Sequence, residues 1–387
     1  MATDKYDKIG QMKAECHCGR VSVAVIPEVA WDGRTGGNET ALCHCASCRH
    51  TTGQLFTSYV QVLPMAGPDP GIAAEYTCAD GWTRLFCPTC GCHVLQTGVW
   101  SGAKKWLVAT GVLAGPADPD DGKDQAQIIL RNHAGAKSTG DGGASVWLTE
   151  MDGEEMRHLR GADDEPTTAP APPSAPGGTL PASCDCGRVS FHLTRPDESS
   201  RLPTSYLPDL THAYCSTDLS VIANPSDTKW WLRRGDRYLA GTCACRTCRL
   251  TSGFEIQTWA FVPRSNIHFH LPRKDDGSST AAVPLDFDTL PAGILSSYGS
   301  SPDVVREFCG GCGATVFWRG RRRPELIDVS VGLLRGDGAR AEAWLDWWAG
   351  RVSFSEEAVK GREGAEAERV RALISSLERG LKRWKGE

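Results

Sequence analysis

The chain has 387 residues, 40% hydrophobic and 23% charged, which excludes a disordered or fibrous polymer and makes two domains the default for this length. Its net charge of −5 is too mild for a general attraction to nucleic acid or to an acidic membrane surface. No apolar run approaches the roughly 20 residues of a membrane helix, and Met1 to Lys8 hold no signal-peptide core, so a soluble, cytoplasmic protein is expected. In a reducing compartment clustered thiols are metal ligands rather than disulfides, and the odd total of 17 cysteines agrees.

In chain order, Cys16-His17-Cys18-Gly19 comes first, followed by a predicted strand at Val21 to Val25. Cys43-His44-Cys45-Ala46-Ser47-Cys48-Arg49 precedes a second predicted strand at Phe56 to Leu63. Phe86-Cys87-Pro88-Thr89-Cys90-Gly91 follows, then a strand over Lys105 to Val108. Gly161 to Ala182 gather Pro166, Pro170, Pro172, Pro173, Pro176 and Pro181 among Ala, Thr and Gly, a composition that builds no core and reads as a linker.

Beyond the linker the three cysteine blocks return in the same order. They are Cys184-Asp185-Cys186-Gly187, Cys243-Ala244-Cys245-Arg246-Thr247-Cys248-Arg249 and Phe308-Cys309-Gly310-Gly311-Cys312-Gly313, interleaved with predicted strands at Val189 to Leu193, Thr258 to Val262 and Ile327 to Val331. Ordered repetition reads as duplication of one domain. The second copy has a longer stretch between its first two blocks, with Cys215 and Lys229-Trp230-Trp231-Leu232-Arg233-Arg234, which reads as a lid or an interface. At the end, Val370, Leu373, Ile374, Leu377 and Leu381 fall at helical spacing, with Glu356 and Glu357 ahead and Lys382, Arg383 and Lys385 behind, as a helix dipole prefers. The expected organisation is mainly β, with domains at 1–160 and 183–354, a linker at 161–182 and a C-terminal helix within 355–387.

Zinc takes four ligands in a tetrahedron, and Cys-x-Cys or Cys-x-x-Cys pairs supply two each from one tight turn. Cys16 and Cys18 with Cys87 and Cys90 thus make one closed site, and Cys184 and Cys186 with Cys309 and Cys312 a second. Cys43, Cys45 and Cys48, like Cys243, Cys245 and Cys248, are trios with no obvious fourth ligand, the pattern of a catalytic zinc. Alternatively Cys78, Cys92 or Cys215 closes a trio and makes it structural. Two zinc ions per domain, four in all, are expected.

Arg49 and Arg249, directly after each trio, are candidates to offset its negative charge or bind a substrate carboxylate. His44, His50 and His93 are candidate proton carriers, and their counterparts Ala244, Leu250 and Thr315 make the first repeat the better equipped for chemistry; surface histidine is the plainer reading of each. The tryptophans, among them Trp82, Trp100, Trp106, Trp147, Trp230, Trp231, Trp259 and Trp318, are expected mostly in the core, with one or two walling a pocket. No Gly-rich phosphate loop or dinucleotide fingerprint is present, so no nucleotide cofactor is indicated.

Taken together, Cys-x-Cys-Gly-x-Val, Cys-x-Cys-x-x-Cys-Arg with Gly53 or Gly253 after it, Phe-Cys-x-x-Cys-Gly, and a strand ending in Thr110-Gly111-Val112-Leu113 or Val331-Gly332-Leu333-Leu334 resemble the glutathione-dependent formaldehyde-activating enzyme family, which includes centromere protein V. The resemblance covers 14–150 and 182–350. It implies two tandem β-rich, Mss4-like (β-tent) domains, each with a structural four-cysteine zinc and a three-cysteine zinc that handles a glutathione thiol or thiol adduct. By position, Cys16, Cys18, Cys87 and Cys90 become structural ligands and Cys43, Cys45 and Cys48 active-site ligands, with Arg49 and His50 beside them; the second repeat follows likewise. The expected function is a zinc-dependent carbon–sulfur lyase or thiol-adduct enzyme acting on a glutathione conjugate or an aldehyde–thiol adduct, with glutathione as substrate or co-substrate. A zinc lyase or hydratase without glutathione and a non-catalytic zinc-binding interaction module are the alternatives. The expected partner is a small-molecule thiol or thiol adduct, with no nucleic acid and no membrane; the sequence does not give an oligomeric state.

Overall fold

The computed structural model describes residues 10–28, 38–63, 65, 67–69, 71–116, 128–159, 178–216, 218–272 and 280–386. Most of the expected linker lies outside the described residues, and its last part, Thr179–Ser183, is already a strand of the second repeat. In the first repeat Met12–Glu15 pairs antiparallel with Ser22–Val25 and with Leu113–Pro116, forming a small sheet that carries the first cysteine block on its turn. The larger sheet runs Arg157–His158, Ile128–Ala134, Asn38–Cys43, Thr57–Val62, Ala103–Ala109, His93–Trp100, Thr83–Phe86, Ala74–Thr77.

The second repeat reproduces that order with Arg237–Cys243, Gln257–Pro263, Leu326–Ser330, Thr315–Gly320, Val304–Cys309 and Leu295–Ser301. Leu345–Trp347 pairs in parallel with Arg237–Cys243, as Ile128–Ala134 does with Asn38–Cys43. Duplication therefore extends from the cysteine spacing to strand order and pairing direction. The central strands Thr57–Val62 and Gln257–Pro263 are buried along almost their whole length. Each trio sits where the strand Asn38–Cys43 or Arg237–Cys243 ends and a one-turn-plus helix begins, α1 (Ala46–Thr52) or α3 (Arg246–Ser252); the short helix α2 (Leu219–Ile222) lies in the insertion between them.

The repeats pack against each other through matched contacts. The Gly111 amide donates to the Gly253 carbonyl at 2.9 Å, and the Gly332 amide to the Gly53 carbonyl at 3.1 Å. His17 N–H donates to Leu250 O and Asp185 N–H to His50 O, both at 3.0 Å. Each contact recurs with the repeats exchanged, the signature of an isologous, two-fold-like interface within one chain. Gly53 and Gly253 end α1 and α3 in the left-handed region, at φ +76° and +95°. A Cβ there would fall on the Thr315 or His93 carbonyl oxygen of the other repeat, so only glycine allows this approach.

The C-terminal segment spans both repeats. Helix α4 (Gly364–Lys385) buries Val370, Leu373, Ile374, Leu377 and Leu381 in a core that also holds Leu42, Phe56 and Trp147 of the first repeat and Phe317, Val329 and Trp347 of the second. Trp147 meets Trp347 edge-on with centroids 4.7 Å apart. The helix starts later than Glu356 and Glu357 suggest: those residues form a short 3₁₀ turn, and the chain then breaks at Gly361, φ +76°. The break turns Arg362 inward, where it donates to Thr110 O at 3.1 Å and pairs with Glu255 at 2.6 Å.

Candidate metal centres and the cavity beside the second trio

Four cysteine groups converge among the described residues: Cys16, Cys18, Cys87 and Cys90; Cys184, Cys186, Cys309 and Cys312; and the trios Cys43, Cys45, Cys48 and Cys243, Cys245, Cys248. Sulfurs lie 3.5 Å apart for Cys18 and Cys87, 3.7 Å for Cys184 and Cys309, and 3.4 Å for Cys186 and Cys309. These separations are too long for disulfides, and no disulfide is present among them. A tetrahedron of thiolates at the usual Zn–S length spaces its sulfurs by about 3.8 Å, so the quartets fit zinc in both donor type and size. Each quartet joins the turn of the small sheet to the turn after Thr83–Phe86 or Val304–Cys309, tying the two ends of a repeat together.

Cys45 and Cys245 cap α1 and α3, each sulfur accepting from the backbone N–H of Cys48 or Cys248 at 3.4 and 3.2 Å. Neither trio gathers a fourth Cys, His, Asp or Glu ligand among the described residues. Cys78 meets Thr51 instead, Cys92 points to the His93 carbonyl, and Cys215 is exposed on the insertion. In each trio the last thiol is held well below its ordinary value by hydrogen bonds from the other two cysteines, against burial and with an arginine behind it.

That arginine is Arg84 in the first repeat, whose Nη2 donates to Cys48 Sγ at 3.2 Å, and Arg306 in the second, whose Nη1 and Nη2 both reach Cys248 Sγ at 3.4 Å. Both stand three residues before the Cys-x-x-Cys pair, in Arg84-Leu85-Phe86-Cys87 and Arg306-Glu307-Phe308-Cys309, a repeated signal that sequence reasoning passed over. Arg49 and Arg249 do other work. Arg49 is buried and donates from Nε to His44 O at 3.1 Å, while Arg249 donates to Gly111 O at 2.6 Å and Lys360 O at 2.9 Å, in the repeat interface.

The histidines are buried rather than on the surface. His44 lies 2.9 Å from His133, and burial holds it well below the usual imidazole range. Burial, with Arg49 and Arg335 nearby, takes His50 down to about 2, and burial beside Arg84 takes His93 to about 3. All three are enclosed, as are their counterparts Ala244, Leu250 and Thr315 in the second repeat.

A cavity opens beside the trio of the second repeat. Its volume is about 140 Å³, and it ends on Cys243, Cys245, Cys248 and Arg306. The insertion supplies one wall through Tyr206, Pro208, Asp209, Leu210 and Tyr214, held in place where Trp230 Nε1 donates to Tyr206 O at 2.8 Å. Trp259, Phe261, Trp318 and Phe354 supply most of the rest. Asp328 lines the same cavity with Arg323, whose Nη2 donates to Asp328 Oδ2 at 2.9 Å. Burial pushes the Asp328 carboxyl up to about 6 even though Arg323 pulls the other way. In the first repeat Leu107 stands at the matching register position, Gln61 at that of Phe261 and Gln96 at that of Trp318. Around Cys48, Arg84 is also engaged by Tyr59 Oη at 3.1 Å and Gln96 Oε1 at 2.7 Å.

Fold and site define a tandem β protein with a quartet and a trio of thiolates in each repeat. The chain belongs to the glutathione-dependent formaldehyde-activating enzyme family, whose model matches residues 11–132 and 233–350. Neither a curated protein nor a solved structure matches it. No helix among the described residues is long and apolar enough to cross a membrane.

Proposed function

We propose that the chain is a zinc-dependent enzyme that makes or breaks the carbon–sulfur bond of a thiol adduct such as a hemithioacetal, and that the trio of the second repeat is its reactive centre. The cavity closing on Cys243, Cys245 and Cys248 carries this reading, since it sets sulfur ligands, a guanidinium and a carboxyl around space for a small molecule. The family description names glutathione and formaldehyde, which supports a thiol and a carbonyl compound as the reactants. The abundance of free, clustered thiols suits a reducing compartment such as the cytoplasm.

Zinc on three thiolates would supply a Lewis acid that stabilises the thiolate form of a substrate sulfur. Arg306 offsets the negative charge that the thiolates bring together. Asp328 accepts the hydroxyl proton of the adduct as its carbon becomes a carbonyl; the C–S bond breaks and the sulfur leaves with the bonding pair. In the reverse direction a thiolate adds to the carbonyl and Asp328 returns the proton. The aromatic walls line most of the space around the reacting atoms and lower its polarity. For the first trio, the engagement of Arg84 by Tyr59 and Gln96 favours a structural role.

Turnover of an aldehyde–thiol adduct by the zinc-loaded full chain tests the reading. Asp328→Asn is expected to slow cleavage by about 10²-fold or more, the range for losing a positioned base. In the wild type the rate should fall as pH drops through about 6, because protonation removes the accepting carboxylate. Cys245→Ser should abolish turnover, and full activity in that variant would defeat the proposal.

A further inference from the structure

The insertion and the aromatic walls say which adduct fits. Resting on the reading above, we propose that the second site takes a thiol, or its aldehyde adduct, bearing one compact aromatic or similarly apolar group, and not the glutathione tripeptide. An apolar cavity of about 150 Å³ accepts a benzene-sized ring, and the partly open space beside the second trio, about 140 Å³, is walled mostly by aromatic and aliphatic side chains. Its charged groups are already engaged: Arg323 with Asp328, Arg306 with Cys248, and Asp209 with Arg351 at 3.1 Å. Arg323 is also stacked over Trp318, 4.3 Å from the ring centroid, and lies 5.9 Å from the rings of Tyr206 and Phe261. Glutathione carries two carboxylates and an ammonium group, and among the described residues the cations lining the cavity, Arg306 and Arg323, are both already paired. A ring, in contrast, meets the faces and edges of Tyr206, Trp259, Phe261 and Trp318 while its sulfur points toward the trio.

Selectivity follows from where these residues stand. Tyr206 belongs to the insertion between the first two cysteine blocks of the second repeat, and Phe261 and Trp318 replace Gln61 and Gln96 of the first. At these two positions the second repeat presents apolar rings where the first presents amides.

Calorimetric titration of the zinc-loaded full chain with benzyl mercaptan, methanethiol and glutathione decides the matter. Benzyl mercaptan should bind at least about tenfold more tightly than glutathione, and Cys245→Ser should remove its signal. Tyr206→Ala and Trp318→Ala should each weaken benzyl mercaptan by about tenfold while changing methanethiol by no more than about twofold. Tyr206 is only partly buried, so its variant remains informative if Trp318→Ala does not fold. Glutathione binding as tight as or tighter than benzyl mercaptan would overturn the substrate class and leave the thiol-adduct reading standing. Failure of all three thiols to bind would overturn both.

Discussion

Cys309→Ser is expected to abolish the native fold of the whole chain. Cys309 is fully buried, with its sulfur 3.4 Å from Cys186 and 3.7 Å from Cys184, and it draws the strand Val304–Cys309 to the small sheet that opens the second repeat. Structural zinc in small domains is worth about 10–16 kcal/mol, comparable to or larger than the roughly 5–15 kcal/mol that separates a folded domain from its unfolded state. No rearrangement of hydrophobic contacts offsets a loss of that size. Because one core runs from Leu42 and Trp147 of the first repeat to Phe317, Trp347 and α4, the first repeat loses its partner surface as well. Near-ultraviolet circular dichroism and thermal melting of the purified variant report the collapse. An unchanged melting temperature would show that the quartet does not hold the repeat.

Glu255→Gln should cost about 3–5 kcal/mol, the range for breaking one side of a buried ion pair. Glu255 follows α3 and pairs with Arg362 at 2.6 Å and Arg369 at 2.8 Å, and all three side chains are nearly inaccessible to water. Arg369 also holds Glu366 at 2.7 Å, so the variant leaves Arg369 with that one carboxylate and Arg362 with backbone carbonyls alone. Burial alone pushes the Glu255 carboxyl up, yet Arg362 and Arg369 outweigh it and hold the group well below the usual range. A depressed folded-state value means that this stabilisation is present above the ordinary carboxylate range, near pH 4.5, and is lost progressively as pH falls below it. The pH dependence of urea denaturation checks both points: the wild type should weaken below about pH 4.5, and Glu255→Gln should have lost that part of the slope. Equal stability of the two proteins at pH 7 would contradict the network.

The cysteine blocks were legible because thiols in tight pairs have few uses in a reducing compartment, and their ordered return announced the duplication before any fold was known. Strands such as Thr57–Val62 and Gln257–Pro263 were legible from β-branched and aromatic runs. The arginines that touch the trios were not, since an arginine in a strand is read as facing water, and only the contact of Arg84 with Cys48 or Arg306 with Cys248 shows otherwise. Gly53 and Gly253 were legible only as the glycine after each trio; that they end α1 and α3 and admit the opposite repeat's carbonyl is a matter of long-range packing. Asp328 stands alone in a strand that otherwise reads as core, and its place in a cavity depends on the insertion folding back over the trio. Arg49 and His50 were drawn to the trio by adjacency along the chain, but a helix turns consecutive residues about 100° apart, and α1 sends both side chains into buried surroundings.

Each repeat is expected to hold two metal ions on cysteine sulfur alone, one in a quartet and one in a trio. Zinc content per chain, measured by mass spectrometry on the purified full-length protein and on a double variant carrying Cys45→Ser and Cys245→Ser, tests it most directly. Four zinc ions in the wild type and two in the double variant are predicted. Two in both proteins would contradict it, because the trios would then hold no metal.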